Sequence, residues 1–255
     1  MHSDVVNLRD FYASPLGSAV RRLLSNQIRA RWRSVAGLSV FGHGFAAPYL
    51  GQFRSEALRL GALMPGQQGA LAWPASGPYQ TVLVDEERLP LPDAAVDRLL
   101  AVHSLEAAER ARPLLRELWR VLAPEGRLLA IVPNRRGLWA RLDSTPFGSG
   151  QPYSRGQLDG LLRDALFTPL DFSSALYMPP VDRRLLVRSP AAWDRFGARV
   201  APAFAGVILV EARKEMTAII GGGKPARVRR EISIARAVGL SSRGMDVRSQ
   251  KNAPD

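Results

Sequence analysis

Cysteine is absent from the 255 residues, which removes disulfides, thiolate nucleophiles and cysteine-based metal sites together. Histidine occurs three times, as His2, His43 and His103, with no H-x-x-x-H spacing, so no metal site is expected. No G-x-S-x-G elbow occurs, which excludes the common serine-hydrolase arrangement around His43-Gly44. No apolar run reaches the roughly 18 residues a membrane span needs. The start, MHSDVVNLRDF, lacks a charged, apolar and small-residue signal pattern, and a soluble cytoplasmic protein is the expectation. One further gap is local: no Asp or Glu falls between Glu56 and Asp85.

The net charge is +12, a balance that suits binding to phosphates when the basic groups cluster. Much of it lies in the last stretch from Lys224, where eight basic residues face three acidic ones. Arginine outnumbers lysine throughout, which reads as a compositional bias rather than a nucleic-acid footprint. The organisation expected is an N-terminal helical segment (1–36), an α/β domain (37–220) and a basic, disordered tail (221–255) beginning at the GGGKP run.

What is present is a parallel-sheet pattern. Leu38–Gly44 (LSVFGHG) reads as a buried strand ending in a glycine turn, and Ala46–Leu63 as the helix it opens. Gly69–Pro74 (GALAWP) reads as the second strand. The short PASGPYQ then leaves no room for a crossover helix before the strand ending at Val84. The acid pair Asp85-Glu86 follows, then the turn-rich LPLPD. Val96–Val102 is the fourth strand, stopping at His103. A helix over Ala107–Leu122 leads through Pro-Glu-Gly to a fifth strand at Arg127–Val132. Tyr153-Ser154 with Gln157 predicts a capped helix from Ser154 to Leu166, and Phe172–Met178 and Gly206–Ala212 are strand candidates around a helical piece near 191–200. Ligands of such sheets sit beyond the carboxyl ends of the strands, where Asp85 and His103 both fall.

Several side chains carry alternatives. His103 is either a base at the strand mouth or a strand-end histidine bonded to backbone. His43, between the glycines, is either a cofactor contact or solvent-exposed. Trp139, Phe147 and Tyr153 lie in a long loop after the fifth strand and are candidates for an acceptor wall or lid, or for packing that loop. Arg135 and Arg136 suit an anionic substrate or solvent. Trp119 reads as helix core.

Taken in order, Gly42-x-Gly44, then Asp85 with LPLPD, then LLRELWRVLAPEGRLL resemble the class I S-adenosylmethionine-dependent methyltransferases of the type 11 group. The resemblance covers Leu38–Val132, and PNRRGLWAR with TPFGSGQPYSRGQL looks like a proteobacterial branch. It implies a doubly wound, mostly parallel seven-stranded α/β sheet of Rossmann-like type with an antiparallel last strand, here with a shortened second crossover. It implies S-adenosylmethionine as cofactor. Gly42 and Gly44 would lie against the methionyl and ribose portion, and Asp85 would accept from the adenine amino group with Glu86 beside it. His103 and Ser104 would stand at the catalytic mouth, and His103 would take a proton from an unidentified acceptor.

The chain departs from that family in two places. Val40-Phe41 stands where an acid usually precedes the first glycine. The acid that holds the ribose hydroxyls is also missing, and Ala72-Trp73-Pro74 is read at its position. Such a carboxylate contact is worth about 1.5–3 kcal/mol, so its loss weakens the cofactor roughly ten- to a hundred-fold. Trp73 could offset this by stacking on adenine or ribose, or fill the pocket. The alternative expectation is therefore an inactive methyltransferase-fold protein acting as a binding or scaffold subunit.

Overall fold

A computed structural model describes residues 4–142, 144–181, 190–200 and 204–215. The expected tail 221–255 lies outside the described residues. Two helices open the chain, α1 (Val5–Ala13) and α2 (Pro15–Arg31). The expected N-terminal helical segment is broken at Ser14-Pro15, because proline lacks the N–H an interior position needs and serves instead as the first residue of α2. Ser14 caps that helix, its hydroxyl accepting from the Gly17 N–H at 3.0 Å.

The sheet has seven strands: β1 (Ser39–Gly44), β2 (Arg59–Pro65), β3 (Thr81–Val84), β4 (Val96–Val102), β5 (Leu122–Pro133), β6 (Phe167–Ala175) and β7 (Val207–Lys214). Their spatial order is β3-β2-β1-β4-β5-β7-β6. β1 to β5 pair in parallel, and β7 runs antiparallel to both neighbours. This is the expected doubly wound α/β architecture. Helices α3 (Ala47–Leu50), α4 (Ala111–Val121), α5 (Arg155–Asp164) and α6 (Pro190–Val200) complete it. Ser154 and Gln157 form the reciprocal cap of α5, as their spacing predicts.

The second strand is displaced from its expected place. Residues 59–65 form it, not Gly69–Pro74, and the expected helix Ala46–Leu63 shrinks to α3 and a 3-10 turn at Gly51–Phe53. The run from Gly61 to Pro65 is buried on both faces. A short continuous apolar run fits a buried parallel strand or a helix equally, so periodicity cannot separate them. The crossover from β2 to β3 still lacks a helix; residues 66–80 are irregular.

Each face of the sheet carries one core. α1, α2 and α3 pack with Val40, Leu100, Leu129 and Leu209 on one side, joined by Trp139 and Phe147. α4 and α5 pack with Leu99, Leu128, Ala130 and Val210 on the other. The N-terminal helices thus share a core with the sheet. Trp119 is only half-buried, its ring 3.9 Å from the Lys214 Nζ.

Candidate functional site

The carboxyl ends of β1 and β4 meet in register, Gly44 opposite Val102. The Phe45 N–H donates to the Val102 carbonyl at 2.8 Å. Gly44 has φ +74, and a Cβ there would lie 2.4 Å from that same oxygen. A Cβ on Gly42 would lie 2.6 Å from the Ala46 Cβ and 2.9 Å from the Leu50 Cδ1. Both glycines are therefore needed for chain to pass against chain. Residues 42–47 are all buried.

His43 is fully buried, so the solvent-exposed alternative is corrected. Its Nδ1 lies 2.7 Å from the Ser104 Oγ, and its Nε2 has no partner among the described residues. Burial pushes its pKa down to about 4, so the imidazole is neutral at pH 7.

His103 closes β4 in a left-handed conformation, φ 49. The Gln68 side-chain amide donates to its carbonyl oxygen. The Gln68 carbonyl in turn accepts from the Val5 N–H at 2.8 Å, which fastens the first turn of α1. The His103 Nε2 is 2.9 Å from the Tyr12 hydroxyl, and Nδ1 is 3.3 Å from the Glu106 Oε1. Tyr49 donates to the Tyr12 oxygen at 2.9 Å. That leaves the Tyr12 hydrogen for His103 Nε2, and an Nδ1–H tautomer facing Glu106 follows. Burial raises both phenols well above their ordinary range, so both stay protonated donors. Tyr49, Tyr12, His103 and Glu106 form a chain drawn from α3, α1, the end of β4 and the loop after it.

Aromatic rings enclose this chain. Phe147 lies 4.7 Å from the His103 ring, and Phe45 stacks 5.7 Å from Tyr12. Trp139 packs edge-on behind Phe147 and donates to the Met178 carbonyl at 2.8 Å. The Tyr153 hydroxyl donates to the Leu105 carbonyl at 3.1 Å. All three expected loop aromatics are buried, while Arg135 and Arg136 are exposed.

A separate cleft of about 390 Å³ opens at the carboxyl ends of β2 and β3, lined by Gly66, Gln67, Asp85, Glu86 and Glu109 among others. Asp85 is exposed, its Oδ1 accepting from the Glu87 N–H at 2.9 Å. Glu86 is buried, and its pKa is pushed up to about 7, first by burial and then by Glu109, Asp85 and Glu87. The position beyond β2 that the resemblance gives to an acid is Gly66-Gln67-Gln68, correcting Ala72-Trp73-Pro74.

Trp73 is not brought to this cleft. Its carbonyl accepts from the Gln80 N–H at 2.7 Å and the Thr81 hydroxyl at 3.2 Å, at the amino end of β3. Asp85 lies past the other end, about 13 Å along the strand. Sequence reasoning missed Tyr12, Gln68 and Glu106. Among the described residues, no cluster of three or more His, Cys, Asp or Glu could hold a metal ion. No helix among them is long and apolar enough to cross a membrane.

Comparison with known proteins follows this geometry. Residues 42–130, about a third of the chain, match a family described as a methyltransferase domain. No curated protein sequence matches the chain. Among solved structures, one similar fold is a Haloferax volcanii protein provisionally described as a methyltransferase, in complex with a methyltransferase activator. It shares 18% identity over 82% of this chain and 96% of its own, with a TM-score of 0.59. An S-adenosylmethionine-dependent methyltransferase from Mesorhizobium loti shares 16% identity over 74% and 96%, with a TM-score of 0.55. The cyclase SpnF shares 21% identity over 77% and 82%, with a TM-score of 0.54. The sheet is thus the class I methyltransferase fold, which also serves a cyclase, and chemistry must be argued from the site.

Proposed function

We propose that this chain is an S-adenosylmethionine-dependent methyltransferase, with the adenosine end of the cofactor in the cleft between Gln67 and Asp85. The observation that carries the reading is that cleft: about 390 Å³ at the carboxyl ends of β2 and β3, β2 being the strand that pairs with β1. Its chemistry fits a nucleoside. Asp85 offers a carboxylate to an exocyclic amino group. A Cβ on Gly66 would meet only the Val84 carbonyl oxygen, 3.8 Å away, so backbone there is open to close approach. Gln67 offers an amide, rather than an acid, to ribose hydroxyls.

When bound, the cofactor supplies an electrophilic methyl group on a sulfonium, and the protein's work is alignment and proton handling. Tyr12 and the rings around it exclude water from the β1–β4 mouth. His103 is held by Glu106 and Tyr12; with Nδ1–H toward Glu106 and Nε2 accepting from Tyr12, it takes a proton from an acceptor once Tyr12 releases Nε2. Neutral His43 and Ser104 support the turn from beneath the sheet. The acceptor is unidentified.

A second reading, a non-catalytic binding subunit, draws on the missing ribose acid and on the burial of residues 42–47. Calorimetric titration with S-adenosylmethionine and S-adenosylhomocysteine separates the two. The enzyme reading expects binding in the micromolar range, weakened about tenfold or more by Asp85→Ala, a loss of roughly 1.4 kcal/mol or greater. No heat at millimolar ligand, from protein with an intact melting transition, would select the binding subunit.

A further inference from the structure

The Glu106 carboxyl group is the least explained feature of the mouth. Its side chain is 3% exposed, and neither oxygen accepts a hydrogen bond from the described residues. Its ion-pair contact among the described residues is His103 Nδ1 at 3.3 Å. No Lys or Arg among those residues pairs with it, in a chain of 35 basic residues. Two other polar atoms of this end of the sheet are also buried without a partner, the Thr145 Oγ1 and the His43 Nε2. A buried carboxylate whose facing donor is an imidazole N–H 3.3 Å away is under-satisfied and costly, and a ligand can supply the missing donors.

The surroundings indicate what that is. Phe147 covers His103, three residues before Glu106 in the chain. Burial first, and the Glu106 charge to a lesser degree, hold the phenols of Tyr12 and Tyr153 above the ordinary range. A buried carboxylate next to a histidine that is covered by an aromatic ring suits an organic ammonium: hydrogen bonds and opposite charge from the carboxylate, a ring quadrupole from Phe147.

We propose that the mouth between Glu106, His103 and Phe147 binds the amino group of an organic amine, which names the acceptor class of the methyltransferase reading and rests on that reading. The ammonium N–H groups satisfy the Glu106 oxygens. One N–H bond then breaks, its proton passes to a Glu106 carboxylate oxygen, and the nitrogen keeps the electron pair as a neutral nucleophile. Tyr12 lies over the site on α1, so entry involves displacement of that helix or of the loop carrying Phe147.

The test uses the full chain saturated with S-adenosylhomocysteine and three probes of similar shape at pH 8: phenethylamine, 2-phenylethanol and phenylacetate. Calorimetry is expected to give phenethylamine a Kd at least tenfold below that of phenylethanol, with no binding of phenylacetate. Glu106→Gln should raise the phenethylamine Kd at least tenfold while leaving the S-adenosylhomocysteine Kd within twofold. Glu106→Asp, keeping the charge, serves if the first variant does not fold, and should retain a preference for the amine. Equal binding of all three probes, no amine binding at millimolar concentration, an unchanged Kd in Glu106→Gln, or displacement of the amine by equimolar KCl would each overturn the proposal. Failure of S-adenosylhomocysteine to bind on its own would instead sink the methyltransferase reading, and the probes titrated without it would still decide whether an amine site exists.

Discussion

Tyr12 and His103 stand 91 residues apart in the chain and share a buried hydrogen bond of 2.9 Å. That bond joins the first helix to the end of the central strand, so stability and site geometry depend on the same contact. Tyr12→Phe leaves the His103 Nε2 buried without a partner and should cost about 1–3 kcal/mol. Tyr12→Ala also opens a cavity beside Phe45 and Tyr49 and should cost about 3–5 kcal/mol. Urea denaturation measures both. A Tyr12→Phe value near zero would mean that water replaces the phenol and that the relay drawn through it is wrong.

Gly44→Ala places a methyl group 2.4 Å from the Val102 oxygen at a positive φ. Left-handed strain and the collision together should cost about 2–4 kcal/mol. The check is a thermal melt beside Gly156→Ala, where an added Cβ meets nothing within 4 Å; that control should change stability by less than about 1 kcal/mol.

Glu86 gives a pH signature. Its folded pKa, about 7, lies above the ordinary 4.5, so the folded state holds the proton more tightly than the unfolded one. The penalty is absent below about pH 4.5, grows between 4.5 and 7, and is complete above that window. Glu86→Gln should therefore stabilise the protein by about 1–2 kcal/mol at pH 8, after allowance for solvent screening, and by little at pH 4.5. Denaturation of both proteins across that range would show the gap opening with pH; a constant gap would refute the linkage.

Trp73→Phe should leave the S-adenosylhomocysteine Kd within twofold, because Trp73 sits at the amino end of β3. A tenfold loss would place the indole at the ligand after all.

The sequence made the sheet readable where strands and breakers alternate plainly. Val96–Val102 appears as expected, and Asp85 and His103 fall past strand ends. The α5 cap was legible because Ser154 and Gln157 have the spacing that reciprocal bonding demands. The second strand was not, since Gly61–Pro65 buries both faces and shows no alternation. Trp73 was misplaced as a direct result: moving the strand by one element reversed the end of the sheet at which the indole stands. Tyr12 carried no local signal, because its partners come from positions 49 and 103. Glu106 was within reach, three residues beyond His103, but an acid in a loop is usually solvated, and only its burial distinguishes it.

The pinning of Val5 to Gln68 has a bearing on biosynthesis. α1 is translated before the surfaces of the sheet that receive it: the amide of Gln68, the end of β4, then the turn holding Phe147. α2, encoded next, can pack against it early, whereas the sheet that completes its setting is finished only after most of the domain has been translated. Rapid closure onto a half-made sheet would trap the helix against the wrong strands, so the weak local apolar pattern of VVNLRDFYA suits a segment that docks late.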